Sequence, residues 1–269
     1  MQKCTITPEN AVLGAKISDV DLKATLHQKI KESIRTSLFE YSVLLFQKQS
    51  LTKQQQVHFS QIFGQPVPHP TNTRDRDEEV AEITIISNVV NNGRELGALG
   101  SSEVKFHSDL VFLYAPGSVS ILQCLETPES GGETYWSSNI AAYDTLSPEM
   151  VKRLRGLKVI YKHRNQAYNP DPLSCHPLLC THPDSRKKFL FVSSSSAQRI
   201  QGMGLEESQS LLDSLFVHTT QDKFVWEHKW SKGDIIVWDN RTTLHRRNSL
   251  DSNQRRIMYR TQILGPLTI

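Results

Sequence analysis

The spacing of apolar residues predicts two helices and a strand near the N-terminus. Leucine or isoleucine recurs at every fourth position between residues 26 and 38, so these side chains share one face of a helix. The apolar run Ser42–Phe46 that follows is typical of a buried strand. A second helix is predicted from Thr52, a residue that suits an N-cap, to Phe63, with Gly64 just past its end.

From about residue 82 onward the pattern predicts mainly strands, separated by Pro, Gly and Asp-Asn turns. The candidate strands are Glu82–Ser87, Val104–Tyr114, Val119–Leu125, Glu133–Ser137, Leu157–His163, Lys188–Ser193, Phe224–Trp230, Asp234–Trp238 and Arg256–Leu264. Helices are predicted from Ser147-Pro148, a cap followed by a proline at the first helical position, and over Leu205–His218. Many short strands with few helices favour a β-sandwich or jelly roll.

Two polar stretches are predicted to be loops. Asn91–Ser102 contains three glycines and little periodicity, and it directly precedes the segment that contains His107. It is either an active-site lid or an ordinary surface loop. Asp75–Glu79 is a cluster of charges that we interpret as a solvated turn.

Length and composition suit one large domain, residues 1–269. We expect this domain to be located in the cytoplasm. The chain is 38% hydrophobic and 22% charged, which fits a globular protein with a substantial core. Neither a run of about 18 apolar residues nor a signal peptide is recognisable, so no membrane contact is expected. A net charge of +3 without a long Lys/Arg block argues against nucleic acid as a partner and mildly favours small anionic substrates.

The four cysteines are scattered along the chain, and we interpret them as reduced thiols. Cys175, His176, Cys180 and His182 offer an alternative, a structural zinc site. Their spacing differs from that of common zinc sites. Both histidines also precede a proline, which favours extended turns over a compact metal-binding knuckle.

A histidine and an aspartate two residues apart are candidate metal ligands. His107 and Asp109 lie in a predicted strand, where alternate residues share a face, so both side chains could bind one ion. His245 is the best candidate for a third ligand. Two histidines and one carboxylate leave three coordination positions open, as in non-haem iron(II) oxygenases. Taken alone, the pattern could also arise by chance around a structural histidine.

Two arginines of the last predicted strand support the metal hypothesis. Arg256 and Arg260 are four residues apart and therefore share a face. Inside the protein they would be costly without anionic partners, which a dicarboxylate cosubstrate and an acidic substrate would supply. The alternative is a strand whose arginine face is solvated.

With these motifs in place, the chain resembles the taurine dioxygenase family of Fe(II)/2-oxoglutarate-dependent oxygenases over nearly its whole length. The matching segments, in chain order, are Ile6–Pro8, Gly14–Ser18, Phe63–Gly64, His69–Pro70, Phe106–Asp109, Gly131–Trp136, His176–Pro177, Thr181–Pro183, Gly233–Asp234, Trp238–Arg241 and Arg255–Arg260. Matches of this density, in this order, are specific to the family.

The resemblance implies a mainly β fold with flanking helices around a double-stranded β-helix (jelly-roll) core. It implies that His107, Asp109 and His245 bind Fe(II). By the same comparison Thr134 and Arg256 hold the distal carboxylate of 2-oxoglutarate, while its keto-acid end chelates the metal. A homo-oligomer is expected only by analogy with the family.

The resemblance also indicates where the substrate binds. Arg260 matches the arginine that meets the substrate's acidic group, and His69 matches a substrate-proximal histidine. Glu103 stands where the taurine enzymes have a substrate-contacting Asn, Ser193–Ser196 replaces a segment with a substrate-contacting aromatic residue, and Asn72 replaces a Tyr. The iron and cosubstrate residues are intact, but taurine is not assigned as the substrate.

The activity that the resemblance implies is oxidative decarboxylation of 2-oxoglutarate to succinate and CO₂. O₂ is consumed, and an unactivated C–H of a small acidic substrate is hydroxylated. Alternatives are desaturation or another oxidation of an amino-acid-like substrate, and a catalytically inactive jelly-roll binding module. Glu103 and Arg260 on opposite sides of one pocket would suit a zwitterion. The alternative, which is favoured over the zwitterion hypothesis, is that Glu103 is a loop residue that faces solvent.

Overall fold

The computed structural model describes residues 3–71 and 75–265, so Asn72 lies outside the described residues. In these two ranges the protein is mainly β with few helices, as predicted. None of the described helices has both the length and the apolar character needed to cross a membrane.

The strands, numbered in chain order, are β1 (Thr5–Pro8), β2 (Ala15–Ser18), β3 (Val43–Phe46), β4 (Pro66–Val67), β5 (Thr84–Ser87), β6 (Val90–Asn91), β7 (Arg94–Glu95), β8 (Ala98–Leu99), β9 (Val104–His107), β10 (Gly117–Glu126), β11 (Thr134–Ser138), β12 (Lys158–Tyr161), β13 (Cys175–Pro177), β14 (Leu179–Thr181), β15 (Lys188–Leu190), β16 (Ala197–Ile200), β17 (Val225–His228), β18 (Ile235–Asp239), β19 (Thr243–Arg247) and β20 (Ile257–Leu264). The α-helices are α1 (Gln28–Tyr41), α2 (Lys53–Ser60), α3 (Asn139–Asp144), α4 (Pro148–Leu154) and α5 (Leu205–Thr219). Two 3₁₀-helices span Gln166–Tyr168 and Asp222–Phe224.

Two sheets position the candidate site. The larger has nine strands in the order β1-β2-β3-β18-β10-β20-β5-β8, with β4 also paired to β20. The smaller has four strands in the order β17-β11-β19-β9. Three further small sheets, β13-β12-β16, β14-β15 and β6-β7, complete the pairing within the described residues. Neighbouring strands of the two main sheets are antiparallel except β2 with β3 and β5 with β8.

An aromatic cluster packs the two main sheets together. Trp136 of β11 is fully buried, and its ring centroid lies 5.7 Å from that of Trp238 of β18. Apolar side chains of β3, β5, β10 and β20 complete the same cluster. Such aromatic contacts stabilise a core by roughly 0.5–1.5 kcal/mol beyond the area that they bury. The two main sheets therefore meet at one shared apolar cluster.

The predicted helices are present, with one boundary wrong. α1 buries Ile34 and Leu38, as the periodicity required. α2 begins after Thr52, as predicted, but ends at Ser60, three residues before Phe63. Its start has a capping box, in which the hydroxyl of Thr52 accepts the backbone N–H of Gln55 at 3.2 Å and the Gln55 side-chain oxygen accepts the N–H of Thr52 at 2.8 Å.

The strand prediction Val104–Tyr114 is wrong beyond His107, where β9 ends. The chain turns because the Asn240 side chain binds the Asp109 backbone on both sides: its oxygen accepts the Asp109 N–H at 2.9 Å, and its amide donates to the Asp109 carbonyl at 3.0 Å. Leu110 then adopts a positive φ of 58°. Strand β19, which contains His245, was not predicted.

The interpretation of two polar stretches changes with the structure. Residues 91–102 contain the β6-β7 hairpin, whose Asn92-Gly93 turn has positive φ at both positions, as a type I′ turn requires. Strand β8 then pairs with β5. The charged stretch Asp75–Glu79 is not simply a solvated turn, because Asp77 is buried and its carboxylate lies 2.6 Å from Nζ of Lys53.

The capping box of α2 allows a direct test of the helix start. Thr52→Ala should lower the free energy of unfolding by about 1 kcal/mol, because it removes an N-cap acceptor. Urea unfolding followed by circular dichroism measures the change. Thr52→Ser keeps the hydroxyl and should unfold like wild type. Equal unfolding midpoints for the Ala variant and wild type would show that the box contributes nothing.

Candidate active site

Three side chains from separate parts of the sequence form a cluster that could hold a metal ion. One ligand atom from each of His107, Asp109 and His245 lies within 4.8 Å of the others. His107 ends β9 and faces His245 of β19 directly across the antiparallel pair, with ring centroids 4.2 Å apart. Asp109 follows two residues after β9. In residues 3–71 and 75–265 no second such group is found.

The histidine rings are oriented so that one nitrogen of each points into the cluster. Nδ1 of His107 donates to the Lys105 carbonyl at 2.8 Å, which leaves Nε2 as the acceptor. Nε2 of His107 lies 3.6 Å from one Asp109 oxygen, and Nε2 of His245 lies 3.9 Å from the other. Two imidazole nitrogens and one carboxylate oxygen on one side of a common space are a donor set that fits Fe(II).

The carboxylate of Asp109 is held by several groups besides Asn240. Its Oδ2 accepts from the Gln262 amide at 2.8 Å and from the Ser120 hydroxyl at 3.3 Å, and it lies 3.5 Å from a guanidinium nitrogen of Arg260. Gly117 makes room behind it, because a Cβ at that position would lie 3.1 Å from both the Asp109 carbonyl oxygen and the Asn240 amide nitrogen.

The electrostatics keep Asp109 and His245 in the forms that bind metal. Burial alone would raise the pKa of Asp109. The positive charge of Arg260 is the largest of the opposing influences, which together outweigh burial and hold this pKa well below its usual range. Burial, followed by the neighbouring His107, lowers the pKa of His245 to about 3, so this imidazole is neutral at physiological pH.

Arg256 presents a buried guanidinium without an acidic partner among the described residues. The residue is 2% exposed, and its Nε and Nη1 atoms have no hydrogen-bond partner. Its backbone N–H donates to the Asn88 side chain at 2.8 Å, just before β20 begins. Burial, then the nearby charge of Arg247, lowers the pKa of Arg256 to about 9, so it remains charged at neutral pH.

Thr134 and two glycines shape the space beside Arg256. The Thr134 hydroxyl is buried at the start of β11 and accepts the indole N–H of Trp230 at 2.9 Å. Gly132 has a φ of +70°, and a Cβ there would lie 3.4 Å from Cδ and Nε of Arg256. Gly131 precedes it with a φ of +80°. A side chain at Gly132 would therefore crowd the guanidinium group of Arg256.

The predicted substrate residues differ in their surroundings. Arg260 of β20 is 8% exposed, and its Nε has no hydrogen-bond partner. His69 is also buried, and burial, followed by the charge of Arg260, lowers its pKa to about 3. Glu103 is exposed and makes no hydrogen bond or ion pair with the described residues. The structure therefore groups Arg260 and His69 with Asp109 and leaves Glu103 at the surface.

The alternative zinc residues are occupied by other contacts. Nε2 of His176 lies 2.9 Å from each of the Val111 and Leu113 carbonyl oxygens, and Nε2 of His182 donates to Asp239 at 2.8 Å. Cys175 and Cys180 are free thiols, in agreement with their interpretation as reduced. The zinc alternative is wrong for these residues.

Several residues that shape the site were not assigned a role from the sequence. Asn240, which holds Asp109, lies in a matched segment, but no local pattern marks it as a backbone clamp. Gln262 shares a face of β20 with Arg260, and this spacing could have indicated it. Arg247 follows His245 by two residues on β19, so only a prediction of that strand would have placed it in the site.

Comparisons with known proteins agree with this geometry. The model of the "Taurine catabolism dioxygenase TauD, TfdA family" matches residues 5–262. The alpha-ketoglutarate-dependent 2,4-dichlorophenoxyacetate dioxygenase of Cupriavidus pinatubonensis is 32% identical, over 97% of this chain and 98% of the relative. The alpha-ketoglutarate-dependent sulfate ester dioxygenase of Pseudomonas putida is 30% identical, over 98% and 90%. The crystal structure of AAD-2 in complex with Mn(II) and N-oxalylglycine has a TM-score of 0.82 at 28% identity, covering 99% of this chain and 100% of that chain.

A buried two-histidine, one-carboxylate cluster beside buried arginines, together with these matches, defines a non-haem iron oxygenase. The chain belongs to the TauD/TfdA family, which confirms the resemblance seen in the sequence. It is a 2-oxoglutarate-dependent dioxygenase, and enzymes of this kind use Fe(II), 2-oxoglutarate and O₂. The prediction of an enzyme is confirmed, against the alternative of an inactive binding module. The relatives act on varied small substrates.

Removal of one histidine tests the metal cluster. His107→Ala or His245→Ala should weaken metal binding severely and abolish succinate formation, because each removes one of three donors. Calorimetric titration of metal-free protein with Mn(II) measures the binding, and circular dichroism verifies the fold. His58→Ala, at an exposed histidine outside the cluster, should bind like wild type. Wild-type metal affinity in a folded His245→Ala variant would remove His245 from the site.

Proposed function

We propose that the protein hydroxylates an unactivated C–H of a small acidic substrate, with succinate and CO₂ as co-products. The observation that carries the proposal is the guanidinium of Arg256, which is buried without an acidic partner in the described residues. A buried charge of this kind is strongly destabilising unless an anion offsets it. A ligand with a carboxylate would supply that anion, and 2-oxoglutarate has one at each end.

In this proposal His107, Asp109 and His245 are the Fe(II) ligands. The observed nitrogen and oxygen donors lie on one side of a common space, which supports three protein ligands and leaves positions for cosubstrate and O₂. Iron bound there, with 2-oxoglutarate and O₂, supplies the oxidising power for attack on a C–H bond. Asn240 keeps the Asp109 carboxylate aimed at this space, because it fixes the backbone on both sides of that residue.

We propose that Arg256 and Thr134 hold the distal carboxylate of 2-oxoglutarate. A guanidinium can bind a carboxylate through two parallel N–H···O bonds, which fixes the direction of the cosubstrate as well as its affinity. Trp230 donates to the Thr134 hydroxyl and so leaves the hydroxyl proton free to be donated to an anion. The buried position of both residues excludes water from this pair.

Arg260 is the proposed contact for the acidic group of the primary substrate, with His69 nearby. Its Nε is buried and unpaired, and another of its nitrogens lies 3.5 Å from Asp109, which places the cation beside the metal cluster. The 2,4-dichlorophenoxyacetate and sulfate ester dioxygenases both act on anionic compounds. An acid anchored at Arg260 would present its neighbouring carbon to the metal, which supports hydroxylation close to the acidic group.

We propose, in addition, that the chain forms one domain around a double-stranded β-helix. The support is the Trp136–Trp238 cluster, in which the nine-stranded and four-stranded sheets share apolar side chains. Arg256 directly precedes β20 of the larger sheet, and Arg260 lies in that strand. His107 and His245 lie in β9 and β19 of the smaller sheet. This packing brings the candidate ligands and the candidate anion sites together.

The role of Arg256 predicts a specific kinetic defect. Arg256→Ala should raise the apparent KM for 2-oxoglutarate by about 30- to 1000-fold, equivalent to roughly 2–4 kcal/mol for loss of one partner of a buried charged pair. Succinate formation at varied 2-oxoglutarate measures it. Arg255→Ala is the matched control, because this neighbouring arginine is exposed and pairs with Glu126 at 2.7 Å. An unchanged 2-oxoglutarate KM, with only the primary substrate affected, would exchange the roles of Arg256 and Arg260.

The role of Arg260 predicts how the enzyme discriminates between acids and neutral analogues. A panel of aryloxy acids, alkyl sulfates, sulfonates and amino acids should contain substrates that raise succinate formation. For the best carboxylate, wild type should prefer the acid over its methyl ester by a large factor, and Arg260→Ala should abolish most of that preference. The ratio of kcat/KM values is used because a general disturbance of Asp109 affects acid and ester alike.

A preference for the acid that survives in Arg260→Ala would contradict the assignment. The same panel addresses the zwitterion hypothesis, for which the exposed Glu103 provides no contact in support. Under that hypothesis Glu103→Gln impairs amino-acid substrates more than amine-free acids. Equal kinetics for Glu103→Gln and wild type on every active substrate would eliminate it.

A further inference from the structure

Arg247 has no assigned role, and its side chain hydrogen-bonds the backbone of the segment Leu99–Ser102. The residue is 6% exposed, and its guanidinium donates to the carbonyl of Gly100 at 2.9 Å, to that of Leu99 at 3.2 Å, and to that of Ser102. Three carbonyls of one short segment therefore converge on a single side chain. A planar guanidinium with five donors in a fixed fork suits such an arrangement better than the compact ammonium of a lysine on its flexible stem.

The same arginine lies beside the proposed 2-oxoglutarate pocket. In the β11–β19 pairing Arg247 is directly opposite Thr134, and side chains of opposed residues share a face. It also shares a face of β19 with His245, about 7 Å further along the strand. The side chain of Arg256 lies against Gly132, two residues before Thr134, and the positive charge of Arg247 contributes to the lowered pKa of Arg256. The metal ligand, the cosubstrate threonine and both arginines thus line one region.

The charge on Arg247 is only partly compensated. Its Nε is buried without a hydrogen-bond partner, and it forms no ion pair with an acid in the described residues. Carbonyl dipoles offset part of the charge, but Arg256 nearby has the same sign and no acid of its own. Two neighbouring buried cations repel each other, and a carboxylate that binds between them would be attracted to both.

The segment that Arg247 holds leads directly to the metal cluster. Ser102 precedes β9 by two residues, and Val104 at the start of β9 is the residue paired with Arg247. The position of Ser101 is fixed as well, because its carbonyl accepts a hydrogen bond from the backbone N–H of Leu250 at 3.1 Å. The exposed side chain of Leu99 lies at the outer side of the same segment. Movement of the segment Leu99–Ser102 would therefore displace the start of β9 and, along that strand, His107.

We propose that Arg247 is a positioning residue that couples the segment Leu99–Ser102 to the occupancy of the 2-oxoglutarate site. A carboxylate bound in the 2-oxoglutarate site relieves the repulsion between Arg247 and Arg256. It thereby stabilises the arrangement in which Arg247 donates hydrogen bonds to the carbonyls of the segment Leu99–Ser102. Coupling between two sites is reciprocal. Loss of the Arg247 hydrogen bonds to the segment should therefore weaken cosubstrate binding by the same factor by which cosubstrate stabilises those hydrogen bonds. This inference rests on the proposed function of Arg256 and Thr134.

Hydrogen exchange of the Mn(II)-loaded enzyme tests the coupling with N-oxalylglycine as the probe, since it carries the two carboxylates of 2-oxoglutarate. In wild type, the probe should slow exchange in peptides that cover residues 96–104. In Arg247→Ala, exchange there should be faster without the probe, and the probe should not slow it even at saturation. The calorimetric Kd of the probe should rise by about 5- to 150-fold, the usual range of such couplings.

Two further variants keep the test decisive. Arg246→Ala is the matched control, because this neighbour stacks on the Tyr135 ring at 3.6 Å and should behave like wild type. If Arg247→Ala does not fold, Arg247→Lys provides the same measurement, since its single ammonium lacks the two terminal nitrogens with which Arg247 binds the carbonyls. The probe-dependent slowing should be lost in Arg247→Lys, while more of the affinity is retained than in a neutral variant.

The outcomes separate the coupling from the proposed function. Probe-dependent slowing that persists in Arg247→Ala, or faster exchange with an unchanged Kd, would overturn the coupling. If Arg256→Ala weakens the probe while Arg247→Ala does not, the cosubstrate assignment stands and the coupling alone fails. Wild-type probe affinity in Arg256→Ala would instead overturn the proposed function of the site.

Discussion

The guanidinium groups of Arg247, Arg256 and Arg260 are all buried, and of these three only Arg260 approaches a carboxylate of the described residues, Asp109 at 3.5 Å. Removing each such charge from water costs several kcal/mol unless an anion or aligned dipoles compensate it. The packing of the two sheets creates this excess of positive charge beside the metal cluster. A protein built this way is stabilised by anionic ligands, which agrees with its use of a dicarboxylate cosubstrate and supports the proposal of an acidic substrate.

Local patterns in the sequence were sufficient for much of the fold and for part of the site. The fourfold repeat of apolar residues indicated α1, and Thr52 correctly indicated the start of α2, because helix faces and caps depend on neighbours within a few residues. His107 and Asp109 were found for the same reason. Arg256 and Arg260 were recognised as a pair from their spacing. His245 was also named as the best candidate for the third ligand before the family resemblance was considered, although its segment had not been predicted to be a strand.

The features that were missed depend on contacts between distant parts of the chain. The strand after His107 was predicted too long, since only the clamp from Asn240 shows why the chain turns at Asp109. Nothing in the sequence distinguishes Arg247 from a solvated arginine, and only the register of β19 places it opposite Thr134. The same register aligns it with the carbonyls of Leu99–Ser102. Such positions follow from sheet pairing, which the spacing of residues within one segment does not encode.

In the proposed site, the buried guanidinium of Arg256 recognises the distal carboxylate of the cosubstrate. The most direct measurement is a cycle of four affinities, with 2-oxoglutarate and 2-oxopentanoate titrated into Mn(II)-loaded wild type and Arg256→Ala. The second ligand has a methyl group in place of the distal carboxylate. We expect wild type to prefer 2-oxoglutarate strongly and the variant to lose that preference, with a coupling free energy of about 2–4 kcal/mol. The same preference for 2-oxoglutarate in wild type and Arg256→Ala would show that Arg256 does not recognise the distal carboxylate.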